Sequence, residues 1–148
     1  MKRKILIGIV IVFAILQFFR IDYTQPESMI ENDFIAITNP PESVANTLRT
    51  SCYDCHSNQT TYPWYSQIAP VSWWVGDHIH EGREELNFSE WGTFSEKRKA
   101  KKLHEIEEEV EEGEMPLESY LIMHSESKLS EEQREELEAW IKYQESVL

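Results

Sequence analysis

The chain has 148 residues, with 14 Lys and Arg against 27 Asp and Glu and a net charge of -13. That length provides one compact domain with an appendage, and not a second core. The acidic balance argues against nucleic acid as a partner, because phosphate binding needs a basic face.

The N-terminus, MKRKILIGIVIVFAILQFFRID, sets Lys2, Arg3 and Lys4 before an apolar run from Ile5 to Phe19 broken only by Gln17. Residues 1–21 therefore read as one N-terminal transmembrane helix, a membrane anchor or uncleaved signal, since no small-residue cleavage site follows. Fifteen residues of helix reach only about 22 Å against a hydrocarbon core of roughly 30 Å, so this reading leans on snorkelling by Arg20 and on Ile21. A buried core helix is the plainer alternative, but an acid-free, almost wholly apolar segment suits it poorly in so acidic a chain. The positive-inside rule then predicts a single-pass protein of the cell membrane, with everything after residue 21 on the periplasmic or extracytoplasmic side.

Residues 22–42 are polar, carry three prolines and read as a tether, so the domain proper is expected over 43–148. Val44, Leu48 and Cys52 recur at helical spacing and predict a short helix. A loop rich in Thr, Tyr, Trp and Pro follows from Ser57 to Pro70. A second helix is predicted after Pro70, with Val71, Trp74, Val75, His78, Ile79 and Leu86 near one face and Gly82 as a weak point. Thr93 and Glu96 form a possible capping box for a third helix reaching about Glu112, with Ala100, Leu103, Ile106 and Val110 as its stripe. Gly113 stops it. Ser130 and Gln133 form another box before a last helix that turns Leu137, Trp140 and Ile141 inward. No strand pattern longer than a few residues appears, so the expected class is all-α with long loops.

Trp64, Trp73, Trp74 and Trp91, with Tyr62, Tyr65, Phe88 and Phe94, crowd into one stretch after the cysteines. Such a cluster is either the core itself or the wall of a large flat apolar cofactor.

The only two cysteines lie in TSCYDCHSNQT, as Cys52-x-x-Cys55-His56. C-x-x-C-H is the pattern of covalent c-type haem attachment: both thiols meet the vinyl groups of one porphyrin while the next imidazole is aimed at the iron. A disulfide between Cys52 and Cys55 is the first rival, but so short a loop removes little chain entropy. A thioredoxin-like dithiol lacks its βαβ context. A zinc or disulfide-stapled structural module remains a third reading, although the pairs His78/His80 and His104/His124 lack zinc-finger spacing.

With His56 as the proximal ligand, a sixth ligand must come from a separate piece of chain. Met115, in VEEGEMPLESY, is the first candidate, because its soft thioether lies in a Gly- and Pro-bounded turn. It is also an ordinary apolar plug in the simpler reading. His78 and His124 are the alternatives, with His80 and His104 behind them, and an open sixth position is the last.

CYDCHS, TTYPWYSQIAPVSWWVGDHIHEGREELNFSEW and GEMPLESY together resemble the small bacterial haem-binding domain family, itself similar to class I cytochromes c. The resemblance covers about residues 40 to 145. It implies a cytochrome c-like helical domain wrapped around one covalent haem c, with attachment at Cys52 and Cys55, a proximal His56 and a distal Met115. It also implies a proline carbonyl, from Pro63 or Pro70, receiving the other ring N–H of His56. The tryptophan-rich block departs from ordinary cytochromes c. One-electron transfer is the function implied, by a carrier and not an enzyme, between redox proteins of the cell envelope that carry basic docking patches. A haem-based gas or redox sensor, or a small peroxidase with an open sixth site, is the competing function.

Overall fold

The computed structural model describes residues 2–148, so Met1 of the expected anchor lies outside it. Regular structure among the described residues is helical throughout, as expected from the sequence. The helices are α1 (Lys2–Leu16), α2 (Phe34–Thr38), α3 (Glu42–Ser51), α4 (Tyr53–His56), α5 (Val71–Glu85), α6 (Glu96–Glu111), α7 (Glu118–Leu121) and α8 (Glu131–Val147). Short 3-10 turns at Ile30–Asn32, Trp64–Gln67, Phe88–Thr93 and Ser125–Ser127 join them.

The expected transmembrane helix is corrected. No described helix is long and apolar enough to cross a membrane. The single-pass arrangement in the cell membrane, and the sidedness derived from it, fall with it. The apolar helix α1 stops after 15 residues, about 22 Å at 1.5 Å per residue. What fixes the chain beyond that end is a paired amide contact: Gln17 Nε2 donates to the Ala69 carbonyl at 3.0 Å, and the Ala69 N–H donates to Gln17 Oε1 at 3.0 Å. Trp73 Nε1 then donates to the Phe19 carbonyl at 2.6 Å.

The stretch expected to be a tether contributes to the core. Asp33 caps α2 by accepting from the N–H groups of Ile35 and Ala36, and Phe34 behind it is fully buried. The Phe34 ring packs against Phe88, Trp91 and Trp140 with centroids at 5.0, 4.7 and 5.9 Å. Contacts of this kind add about 0.5–1.5 kcal/mol each beyond simple burial. Val44 and Leu48 of α3, Leu103 and Val110 of α6, and Leu137, Trp140 and Ile141 of α8 complete this core.

Helix α6 starts at Glu96, as expected, but its cap lies two residues after Thr93. Ser95 is its cap, its hydroxyl accepting from the Arg98 N–H at 3.3 Å, because Thr93 is already used at the end of a 3-10 turn. Ala100 faces solvent instead of the core. The Ser130–Gln133 capping box forms as expected.

Candidate functional site

Cys52 ends α3 and accepts, through its carbonyl, the N–H groups of Cys55 at 3.3 Å and His56 at 3.0 Å. The motif is thereby wound into a single turn. At i, i+3 and i+4, the two thiols and the imidazole come to one side of it. The two intervening residues are fixed as well. Tyr53 is buried and donates its hydroxyl to the Asp33 carboxylate at 3.1 and 3.2 Å. Asp54 accepts from the Thr61 N–H and from the Tyr120 hydroxyl, both at 2.9 Å.

His56 is oriented by the C-terminal end of α5. Its Nδ1 lies 2.9 Å from the Gly82 carbonyl and 3.1 Å from the Leu86 carbonyl. Both partners are pure acceptors, so Nδ1 carries the proton and Nε2 keeps the lone pair that an iron requires. Neither Pro63 nor Pro70 plays the part expected for a proline. The Gly82 carbonyl already accepts the Leu86 N–H at 2.9 Å and takes the ring N–H on its second lone pair, and carbonyls at a helix C-terminus carry partial negative charge whatever the residue type. Burial holds the His56 pKa below its ordinary value, against the two carbonyl bonds that raise it, and so favours the neutral imidazole.

Gly82, a weak point by helix propensity, is where α4 lies against α5. A Cβ there would meet the Cys55 carbonyl oxygen at 3.0 Å and the Cys55 Cβ at 3.2 Å. Arg83, the next residue, donates from Nε to the Ser57 carbonyl and from an η nitrogen to Thr60 Oγ1, both at 2.8 Å. Both cysteines are free thiols. Burial, with each thiol's neighbouring negative charge behind it, pushes Cys52 up to about 12 and Cys55 up to about 11. They are protonated at neutral pH, unlike the thiolate of a reactive dithiol.

Met115 is carried by the turn that closes α6. Gly113 adopts φ +76°, the left-handed conformation that glycine takes without penalty. The Gly113 N–H bonds the Val110 carbonyl at 3.3 Å, and the N–H groups of Glu114 and Met115 bond the Glu109 carbonyl at 3.0 and 3.1 Å. This is a Schellman ending, and it reverses the chain so that Met115 follows at once.

The structure brings the motif and this turn to one cavity. A space of about 610 Å³ is bordered by Cys52, Cys55 and His56, by Gly82 and Leu86, by Ile106 and Val110, and by Met115, Pro116 and Leu117. A second cavity of about 390 Å³ adjoins it through Asp54, Cys55, His78, Leu117 and Tyr120. Trp64, Tyr65, Trp74, Val75, Ile79 and Met123 line this second space. The aromatic cluster is thus divided: Trp91 and Phe94 are core, Phe88 is core and also borders the larger cavity, and Trp64, Tyr65 and Trp74 are wall of the second.

His78 also borders both cavities, with Nδ1 2.9 Å from the Trp74 carbonyl. It stands one helical turn before Gly82, on the element that holds His56. His124 lines neither cavity. Its Nε2 is 2.8 Å from the Tyr65 hydroxyl, its Nδ1 is 3.4 Å from Glu126, and its ring stacks on Tyr120. His80 is exposed beside Glu84.

Lys102, absent from the sequence-based candidates, is buried and, among the described residues, is the only Lys or Arg bordering the larger cavity; it pairs with Glu105 at 2.6 Å and Glu85 at 3.5 Å. Glu81, Glu85, Glu108 and Glu109 border the same cavity and are exposed.

Two protonated thiols, an imidazole with its free nitrogen fixed and a thioether on one apolar cavity are a donor set that fits haem. The volume also lies within the roughly 300–1,000 Å³ of cofactor pockets. The fold and the site together define a helical haem protein. Residues 11–143 match the model of the haem-binding domain family, and the chain belongs to that family. No curated protein and no solved structure matches it.

Proposed function

We propose that this protein is a mono-haem c-type cytochrome that relays single electrons between redox proteins and is not an enzyme. The observation that carries the reading is the shared cavity, bordered by Cys52, Cys55 and His56 on one element and by Met115 on another. Bound haem would supply the one-electron couple of its iron. Cys52 and Cys55 would each add S–H across one vinyl group, the sulfur bonding to one carbon and the hydrogen to its neighbour. His56 Nε2 would hold the proximal position, with the Gly82 and Leu86 carbonyls fixing the ring. Met115 would hold the distal position from the turn fixed by Gly113. With His56 and Met115 both engaged in holding the haem, little room would be left there for a substrate. The partners fit as proteins with basic docking patches, because Glu81, Glu85, Glu108 and Glu109 are exposed where they border the cavity.

The test is the intact mass, under denaturing conditions, of the full chain made in a host that has c-type maturation machinery. One added haem that survives acid–acetone extraction is expected. The bare polypeptide mass would sink the reading.

A further inference from the structure

Outside the cavity, α6 and α8 bring together an imidazole and two carboxylates. His104, Glu107 and Glu145 each offer one ligand atom, and these atoms all lie within 4.8 Å of one another. We propose that these three residues bind one divalent transition-metal ion of the zinc class.

His104 and Glu107 are three apart on α6 and so share one helix face, while Glu145 comes from the last turns of α8. Nitrogen and oxygen ligands hold such an ion at about 2.0–2.2 Å, which sets them roughly 3.4 Å apart in a tetrahedron. Small side-chain rotations close the remaining gap. The Glu107 side chain is only 15% exposed, so much of the ordering that binding requires is already done. Lys142 Nζ lies 2.9 Å from Glu107 Oε1, and its side chain is 56% exposed. It would compete for that oxygen, leave Oε2 free and swing away easily. An imidazole among the ligands favours zinc-like ions over calcium or magnesium, and two carboxylates neutralise a divalent charge. None of the three residues borders either cavity. The site therefore stands whether or not the electron-carrier reading does. A bound ion would clip α6 to α8, and α6 is one wall of the larger cavity.

The experiment is a calorimetric titration of Zn²⁺ into the full haem-loaded chain, with the haem absorption recorded in parallel. One equivalent should bind without moving the haem spectrum. His104→Gln and Glu145→Gln should each weaken uptake at least tenfold, while His80→Gln should leave it unchanged. Zn²⁺ should raise the melting temperature of the wild type but not of His104→Gln. Absence of uptake, uptake that survives both His104→Gln and Glu145→Gln, or uptake that shifts the haem bands would each overturn the proposal.

Discussion

Replacing Gly82 by alanine sets two effects of known size against each other. In a helix interior the change removes a backbone-entropy cost and gains about 1 kcal/mol. At Gly82 the added methyl would lie 3.0 Å from the Cys55 carbonyl oxygen, 3.2 Å from its Cβ and 3.3 Å from its carbonyl carbon. None of these atoms can move away by changing rotamer, since all belong to the α4 backbone or attach directly to it. Crowding of this kind costs about 1–3 kcal/mol, so a net loss of about 1 kcal/mol is expected. As α4 is pushed outward, the 2.9 Å contact between His56 Nδ1 and the Gly82 carbonyl should also lengthen. Gly76→Ala is the reference, because the three atoms nearest its Cβ, the first at 2.9 Å, all belong to the Ile21 side chain, which can swing aside. Urea unfolding of the haem-loaded protein, followed by circular dichroism and by haem absorption, reads both consequences. If G82A proves as stable as G76A with an unchanged haem spectrum, the close approach of α4 to α5 does not position His56.

Met115→Ala should abolish the low-spin spectrum of the reduced protein and open the iron to CO; a spectrum that stays low-spin would pass the distal role to another residue, with His78 first in line. Phe34→Ala removes a ring packed on Phe88, Trp91 and Trp140 and should cost about 3–5 kcal/mol in urea unfolding. A loss below about 1 kcal/mol would mean that the segment before Ser43 is not part of the core. Electron transfer with a cationic reagent should slow as salt shortens the screening length from about 30 Å at 0.01 M to about 3 Å at 1 M. The double change Glu108→Lys and Glu109→Lys should slow it at low salt and flatten that dependence; equal rates in variant and wild type would remove the docking role of this rim.

How far the sequence could be read depended on whether the information was local. The convergence of Cys52, Cys55 and His56 is legible because all three lie in five consecutive residues. The position of Met115 is legible because Gly113 and Pro116 mark the turn that carries it. The partner of His56 is not, since a helix-end carbonyl has no side-chain signature; the available clue is Gly82, one of two glycines inside α5. Phe34 is hidden by polar, proline-rich neighbours, although Asp33 before it is a good helix cap. Thr93 and Ser95 are both competent caps, and only the preceding 3-10 turn decides between them. The N-terminal segment is legible in its length of fifteen helical residues, while its end is not, since Gln17 is the one sign that the apolar run stops against the polar backbone of Ala69.

The two residues inside the cysteine motif are usually written as x, as if any pair would serve. Here Tyr53 is bonded inward to Asp33, the residue that caps α2. Asp54 is bonded outward to Thr61 and to Tyr120. One dipeptide thus fastens a segment that precedes the motif, the loop that follows it and the element beyond Met115. The five residues are consequently not a portable cassette: grafted elsewhere they would bring their thiols and imidazole but leave their moorings behind, and a foreign dipeptide installed here would keep the thiols and imidazole while loosening three parts of the fold at once.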